Sequence, residues 1–243
     1  MSEAVKNKVK VLVAALEKKF GKYKLPTFHP PPTSADAAAA QAVATKNCEL
    51  IAGAVLGLHG PPHLGFEAAR RLMSTFVDWN EVRVSNAGSL MRMLGRDPRA
   101  EERIRLMQRF LEAFFLRQRN LNLECLVPMK PGERRQFLAD LEIFGRDELA
   151  AVVLTCFGME MFPPAEDLHR VAQRYGLIRA KTTVLQMAKE FETKLEPDQI
   201  LSLYAGLAAV AATTCTPESP KCPACVLKPR CPAARIFLKP SRK

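Results

Sequence analysis

The sequence predicts an all-α protein, and three observations point there. Apolar residues recur at the three- and four-residue spacing of a helix along most of the chain. No segment alternates apolar and polar residues as a half-buried strand does. Glycine, proline and Asx residues punctuate the periodic stretches at helix-length intervals, and no segment repeats at the period of a solenoid.

The first helix is expected over residues 4–20, where Val9, Leu12, Val13, Leu16 and Phe20 fall at helical spacing; Gly21 and Pro26 end it. Residues 25–34, LPTFHPPPTS, read as a proline-rich connector. An alanine-rich helix follows over about 35–58, stopped by Gly57, Gly60, Pro61 and Pro62. Further helices are expected at about 64–77, 86–94, 99–118, 131–141, 146–158, 165–175, 181–194 and 197–212. Their separators are turn signals: Asp78-Trp79-Asn80, Gly95, Pro128, Gly145 and Gly176.

The 243 residues give room for one large or two small domains, and 48% hydrophobic residues supply a proper core. No apolar run of the ~18 residues that a membrane span needs is present. The opening MSEAVKNKVK lacks the apolar centre of a signal peptide, so a cytoplasmic protein is expected, with no membrane partner. The formal charge of +11 and the pI near 9.5 suit a polyanion such as DNA or RNA. Lys6, Lys8, Lys10, Lys18, Lys19, Lys22 and Lys24 crowd the first helix and its exit, and no acidic residue follows Glu218. Such runs also occur as plain solvated faces, so charge alone does not settle the partner.

Cys215, Cys222, Cys225 and Cys231 are spaced C-x6-C-x2-C-x5-C. Zinc and iron–sulfur centres both accept four thiolates. Zinc sites usually pair their cysteines in two short knuckles, whereas here only Cys222 and Cys225 form one, which favours a cluster. Disulfides are the remaining alternative, and the missing secretory signal argues against them. Pro217, Pro220, Pro223, Pro229 and Pro232 stiffen the segment and are expected to keep it from becoming helical. Cys48, Cys125 and Cys156 lie in apolar surroundings and read as small core residues.

This cysteine spacing resembles the iron–sulfur loop of endonuclease III-like helix-hairpin-helix DNA glycosylases. A second stretch carries the same resemblance. The family hairpin commonly reads LPGVGRKTA, followed one helix later by FPVDTHVRRV. Without gaps, residues 141–149 (LEIFGRDEL) lie on the first and residues 162–171 (FPPAEDLHRV) on the second. Leu141, Gly145, Arg146, Phe162-Pro163 and Arg170-Val171 match. DWNEVRVS at 78–85 and LNLECL at 121–126 are similar to the plant-type demethylating members, and the likeness covers most of residues 47–231. It implies a two-lobed fold: a six-helix domain over 47–162 with its hairpin near 138–150, and a C-terminal domain over 163–243 holding a [4Fe–4S] cluster on Cys215, Cys222, Cys225 and Cys231. Residues 1–46 would pack with the cluster domain.

The resemblance also implies two reactive groups: a lysine whose amine attacks the sugar and forms a Schiff base, and an aspartate that supports the sugar cation. This chain has Asp147 at the first position and Ala165 at the second. A carboxylate cannot form a Schiff base, and alanine carries neither charge nor proton. Glu166 and Asp167 are candidate substitutes for the carboxylate, although acids in a first helical turn also simply favour its positive end. No lysine lies between Lys130 and Lys181.

The hairpin is expected to offer backbone N–H groups to phosphate through Gly145 and Arg146, but Glu142 and Ile143 replace the family's proline and first glycine. Ile143 is expected to plug the core, and Asp147 adds an anion where phosphate should sit. His59 aligns with the family's intercalating glutamine; a loop histidine without special role is its plain alternative. Lys221 and Arg230, beside the cysteines, are further DNA-contact candidates. The sequence therefore reads as a monomeric, iron–sulfur, duplex-DNA-binding protein of repair type without normal glycosylase or lyase activity, nucleoid-associated if bacterial. An active glycosylase with relocated groups and a structural or redox iron–sulfur protein are the alternatives.

Overall fold

A computed structural model describes residues 3–29, 37–94 and 99–238. Residues 30–34 of the proline-rich connector, Ala35 and Asp36 of the expected second helix, Gly95 and the basic Lys239, Arg242 and Lys243 lie outside the described residues. All regular structure among the described residues is helical, with no strand among them. The helices are α1 (Glu3–Phe20), α2 (Ala37–Leu56), α3 (Pro62–Met73), α4 (Trp79–Val84), α5 (Ala87–Leu94), α6 (Ala100–Gln118), α7 (Pro131–Ala139), α8 (Arg146–Phe157), α9 (Glu166–Tyr175), α10 (Val184–Lys194), α11 (Pro197–Thr213) and α12 (Pro232–Phe237).

The chain divides into two compact units. One comprises residues 1–24, 59–61 and 158–243; the other comprises 25–58 and 62–157. Of the expected N-terminal segment, residues 3–24 thus fall in the first unit, and the connector and α2 in the second.

In the first unit α11 is the central element. Its residues from Ile200 to Ala211 are almost all buried, because both α1 and α9 pack on it. Gly206 brings α1 in close: an added Cβ would lie 2.5 Å from Leu16 Cδ1. Ser202 Oγ donates to Glu17 Oε1 at 2.7 Å and so satisfies a half-buried polar pair at that contact. Phe162 and Phe191 meet edge to face at 4.9 Å beside α10.

In the second unit α2 packs on α3, α6 and α8. A Cβ at Gly65 would lie 2.2 Å from both Gly53 O and Gly57 N, so only glycine lets α2 and α3 approach this closely. The buried Asn47 ties the connector to α2, donating to His29 O and accepting from His29 N, each at 2.9 Å. Phe110, Phe114, Leu111 and Ile104 fill the core from α6.

Two local expectations differ. Asp78-Trp79-Asn80 is not only a turn: Asp78 caps α4, accepting from Glu81 N at 2.9 Å, and Gln108 Nε2 reaches the carbonyls of Val82, Arg83 and Ser85 at its other end. The proline-rich cysteine segment is partly helical. It contains two single 3-10 turns, Cys222–Ala224 and Lys228–Arg230, and then α12. Pro223, Pro229 and Pro232 each sit in the first turn, where a missing N–H costs nothing and a fixed φ helps.

Candidate metal centre and nucleic-acid interface

The cysteine segment is folded by its own backbone. Cys215 leaves the end of α11 with its N–H on Val210 O at 2.8 Å. Lys221 N donates to Thr214 O at 2.8 Å, which closes the first loop and returns Cys222 towards Cys215. Tight turns follow: Cys225 N to Cys222 O at 3.2 Å, then Lys228 N to Cys225 O at 3.1 Å, then Cys231 N to Lys228 O at 3.3 Å. All four cysteines consequently line one space of about 380 Å³, with Val210 and Leu227 among its apolar walls. All seven cysteines of the chain are free thiols.

Electrostatics report the crowding. Burial pushes the Cys222 thiol up from its ordinary value; Cys225, Cys231 and Cys215 push it further, and Arg174 pulls it back. The Cys231 thiol is also raised by burial first, with the N–H groups of Ala234 and Ala233 opposing and Cys225 and Cys215 adding to the rise. Four thiolates here therefore need a positive centre. Among the described residues, no three or more His, Cys, Asp or Glu side chains converge closely enough to hold a single metal ion. A tetrahedral zinc with bonds of about 2.3 Å requires sulfurs within roughly 4 Å of one another. The four cysteines that line this one space are the donor set a four-thiolate group takes, and in this respect the residues fit a [4Fe–4S] group. Cys48 and Cys156, in contrast, are buried, with thiols held up by desolvation, Cys48 also by Asp78 and Glu49. Cys125 is half-buried, its thiol also raised chiefly by burial.

Helix α9 braces this loop, through residues that sequence reading used only as alignment anchors or passed over. Arg170 Nε donates to Cys215 O at 3.0 Å. Arg174 Nη1 donates to Thr216 O at 2.7 Å and lies 3.5 Å from Cys215 Sγ, while Nη2 donates to Pro217 O. The Arg174 guanidinium also covers the Phe237 ring at 5.0 Å. The signal was present: two arginines four apart share one helix face. Lys8 of α1 supports the far end of α9, donating to Gly176 O at 3.0 Å over the Tyr175 ring. Lys221 and Arg230 are exposed, as is Lys228 beside them.

The N-terminus of α9 holds the second sequence-predicted position. Ala165 is its N-cap, buried and without a side-chain cap. Glu166 and Asp167 occupy the first turn. Asp167 Oδ2 lies 3.9 Å from His59 Nδ1, with side chains 13% and 20% exposed. His59 itself has a left-handed backbone, φ 57°. The structure thus brings His59 and Asp167 together.

The hairpin is in the other unit, between α7 and α8. Glu142 turns the chain with φ 54° and its N–H on Ala139 O at 3.0 Å. Ile143 is half-buried and does not plug the core; Phe144 packs instead, stacked on Phe110 at 6.1 Å. Gly145 and Arg146 are exposed. The Gly145 N–H, however, donates to Glu148 Oε2 at 2.7 Å. A Cβ on Gly145 would stand 3.3 Å from Asp147 Oδ1 and 3.4 Å from Glu148 Oε2. The backbone group that a phosphate would use is capped by the chain's own carboxylate, with a second one alongside.

No protein-family profile matches the chain. An endonuclease III from Sulfolobus acidocaldarius is 28% identical over 112 residues, which span 46% of this chain and 48% of that protein. The match thus spans about half the length of this curated relative. Among solved structures, an endonuclease III trapped as a covalent intermediate with DNA aligns over 96% of this chain and 99% of its own, with a TM-score of 0.58 at 18% identity. A non-covalent endonuclease III–DNA complex gives 0.57 over 95% and 97% at 19% identity. A thermostable thymine-DNA glycosylase gives 0.55 over 96% and 100% at 15% identity. The chain therefore has the all-α fold of these endonuclease III and thymine-DNA glycosylase structures, and about half of it is similar in sequence to an endonuclease III.

Proposed function

We propose that this protein is an iron–sulfur, duplex-DNA-binding member of the endonuclease III type that lacks normal glycosylase and AP lyase chemistry. One combination supports the reading: the fold is shared over 96% of the chain, while the motif alignment puts a carboxylate, Asp147, and a buried methyl, Ala165, at the two reactive positions. Neither forms a Schiff base, and Ala165 cannot support a sugar cation. Cys215, Cys222, Cys225 and Cys231 would hold a [4Fe–4S] group, with residues 163–243 as its domain. When bound, that group supplies the positive centre that four crowded thiolates need and fixes the loop that carries Lys221 and Arg230. Arg170 and Arg174 orient the loop on α9. DNA is engaged by exposed cations, Lys221, Lys228 and Arg230 foremost, as a monomer in the cytoplasm. No helix among the described residues is long and apolar enough to cross a membrane.

A specific observation supports a second reading. Asp167 is mostly buried and faces His59, so a carboxylate held two residues from the usual place could assist a water-using glycosylase. A third reading, a structural or redox protein without DNA preference, draws support from the Glu148 carboxylate on Gly145 N–H.

The experiment is a salt titration of duplex binding. Cations that neutralise phosphates release counterions, so affinity falls steeply as salt rises, and Lys221→Glu with Arg230→Glu weakens binding while Lys130→Glu changes it little. Affinity flat with salt contradicts the nucleic-acid reading.

A further inference from the structure

A second cavity opens within the unit formed by residues 25–58 and 62–157. It encloses about 950 Å³ together with its mouth, between α2, the start of α4, the end of α6 and the segment that follows α6. Phe115 and the buried Trp79 give it aromatic wall. The lining side chains divide into two groups. Trp79 Nε1 donates to Thr45 O at 3.1 Å, Asn120 bonds Gln118 O and Asn122 N, and Asp78 gives one oxygen to Glu81 N. Among the described residues, nothing engages the Arg119 guanidinium or the amides of Gln41 and Asn80. Asn122 uses only its oxygen, on Glu124 N. Asn80 Oδ1 is buried without a hydrogen-bond partner, an incomplete arrangement for an amide. Arg119 has a left-handed backbone, φ 62°, at the C-cap of α6, a place glycine fills with less strain. An arginine there puts a planar, permanently charged fork at the cavity.

We propose that this cavity binds one nucleotide, with its phosphate on Arg119 and the hydrogen-bonding edge of its base on the Asn80 and Gln41 amides. A guanidinium matches phosphate in two-point fashion. An amide presents the donor–acceptor pair that complements a base edge, adenine above all. Convergent uncommitted polar groups beside aromatic wall are the makeup of a small-ligand site. The same chemistry is offered by a free mononucleotide and by the terminal nucleotide of a single strand. The proposal rests on none of the roles assigned to the cysteine loop or the hairpin.

Equilibrium dialysis of the full chain with its metal centre intact tests it, using dAMP, dGMP, dCMP, dTMP and a short end-phosphorylated single strand. At least one is expected to bind. Asn80→Ala and Arg119→Gly each weaken it about tenfold or more, while Arg105→Ala leaves it unchanged. Glycine suits the left-handed backbone, so loss in Arg119→Gly is not loss of fold; an unchanged helical signal verifies this. Binding of the mononucleotide alone identifies a free-nucleotide site, and binding of the strand alone identifies a strand-end site. No binding of either form, binding that survives Arg119→Gly, or binding lost equally in Arg105→Ala overturns the proposal.

Discussion

Glu148 decides the character of the hairpin. Its carboxylate accepts the Gly145 N–H at 2.7 Å and Asp147 stands close by, so the positive end of α8 is already met by two anions of the chain itself. Glu148→Ala frees that N–H and removes one negative charge. An interaction of this kind is worth about 0.3–1 kcal/mol, so duplex binding is expected to tighten about two- to fivefold, at some cost in helix stability. Fluorescence anisotropy with labelled duplex checks this; unchanged or weaker binding means that the hairpin does not meet phosphate at all. Ala165 makes the complementary point: a buried N-cap without a side-chain oxygen has no carboxylate to offer. Asp147 and Ala165 are legible as residues. That Glu148 would turn back onto Gly145 was not, since an acid in a first helical turn has the same sequence signature whether it faces solvent or caps its own helix.

Helix α9 links the local chemistry of the first unit. Its first turn carries Asp167 beside His59, and Arg170 and Arg174 near its end hold the cysteine segment through Cys215, Thr216 and Pro217. Cys222 is the most buried of the four cysteines and, on the proposed reading, the ligand whose loss the loop can least absorb. Cys222→Ser is expected to remove the broad visible absorption and most of the about four irons per chain that a [4Fe–4S] site implies. It should also open residues 214–238 to proteolysis. Iron analysis and limited digestion measure both, and stoichiometric zinc without iron in anaerobically prepared wild type contradicts the assignment. Most helices were legible because apolar periodicity fixes them, as for α1, α6 and α11. The two shortest, α4 and α12, were not. Helix α4 depends on the Asp78 cap and on Gln108, which comes from another helix. Helix α12 and the 3-10 turns use prolines at first-turn positions, where proline starts a helix rather than breaks one.

At the scale of the whole molecule, fold and chemistry separate. Leu141, Phe162 and Val171, on which the motif resemblance rests, are buried, and the fold extends over nearly the full length of the endonuclease III structures. The formal charge of +11 is kept in the direction a polyanion partner requires. On the proposed reading, Asp147 and Ala165 stand at the two positions that the motif alignment assigns to the reactive pair. Sequence made the cysteine loop and the residue types at these two positions visible because they are matters of residue type and spacing. It put Arg170 and Arg174 on one helix face but could not show that they hold the loop, nor the cavity around Asn80 and Arg119, because those contacts join residues far apart in the chain. The measurement that tests the central claim most directly is borohydride trapping on duplex DNA carrying one abasic site, with binding assayed in the same sample. The account predicts salt-sensitive binding with no covalent complex and no strand cleavage above background. Robust trapping by the wild-type protein, abolished by replacing a single lysine such as Lys181, would contradict it and establish a relocated active site.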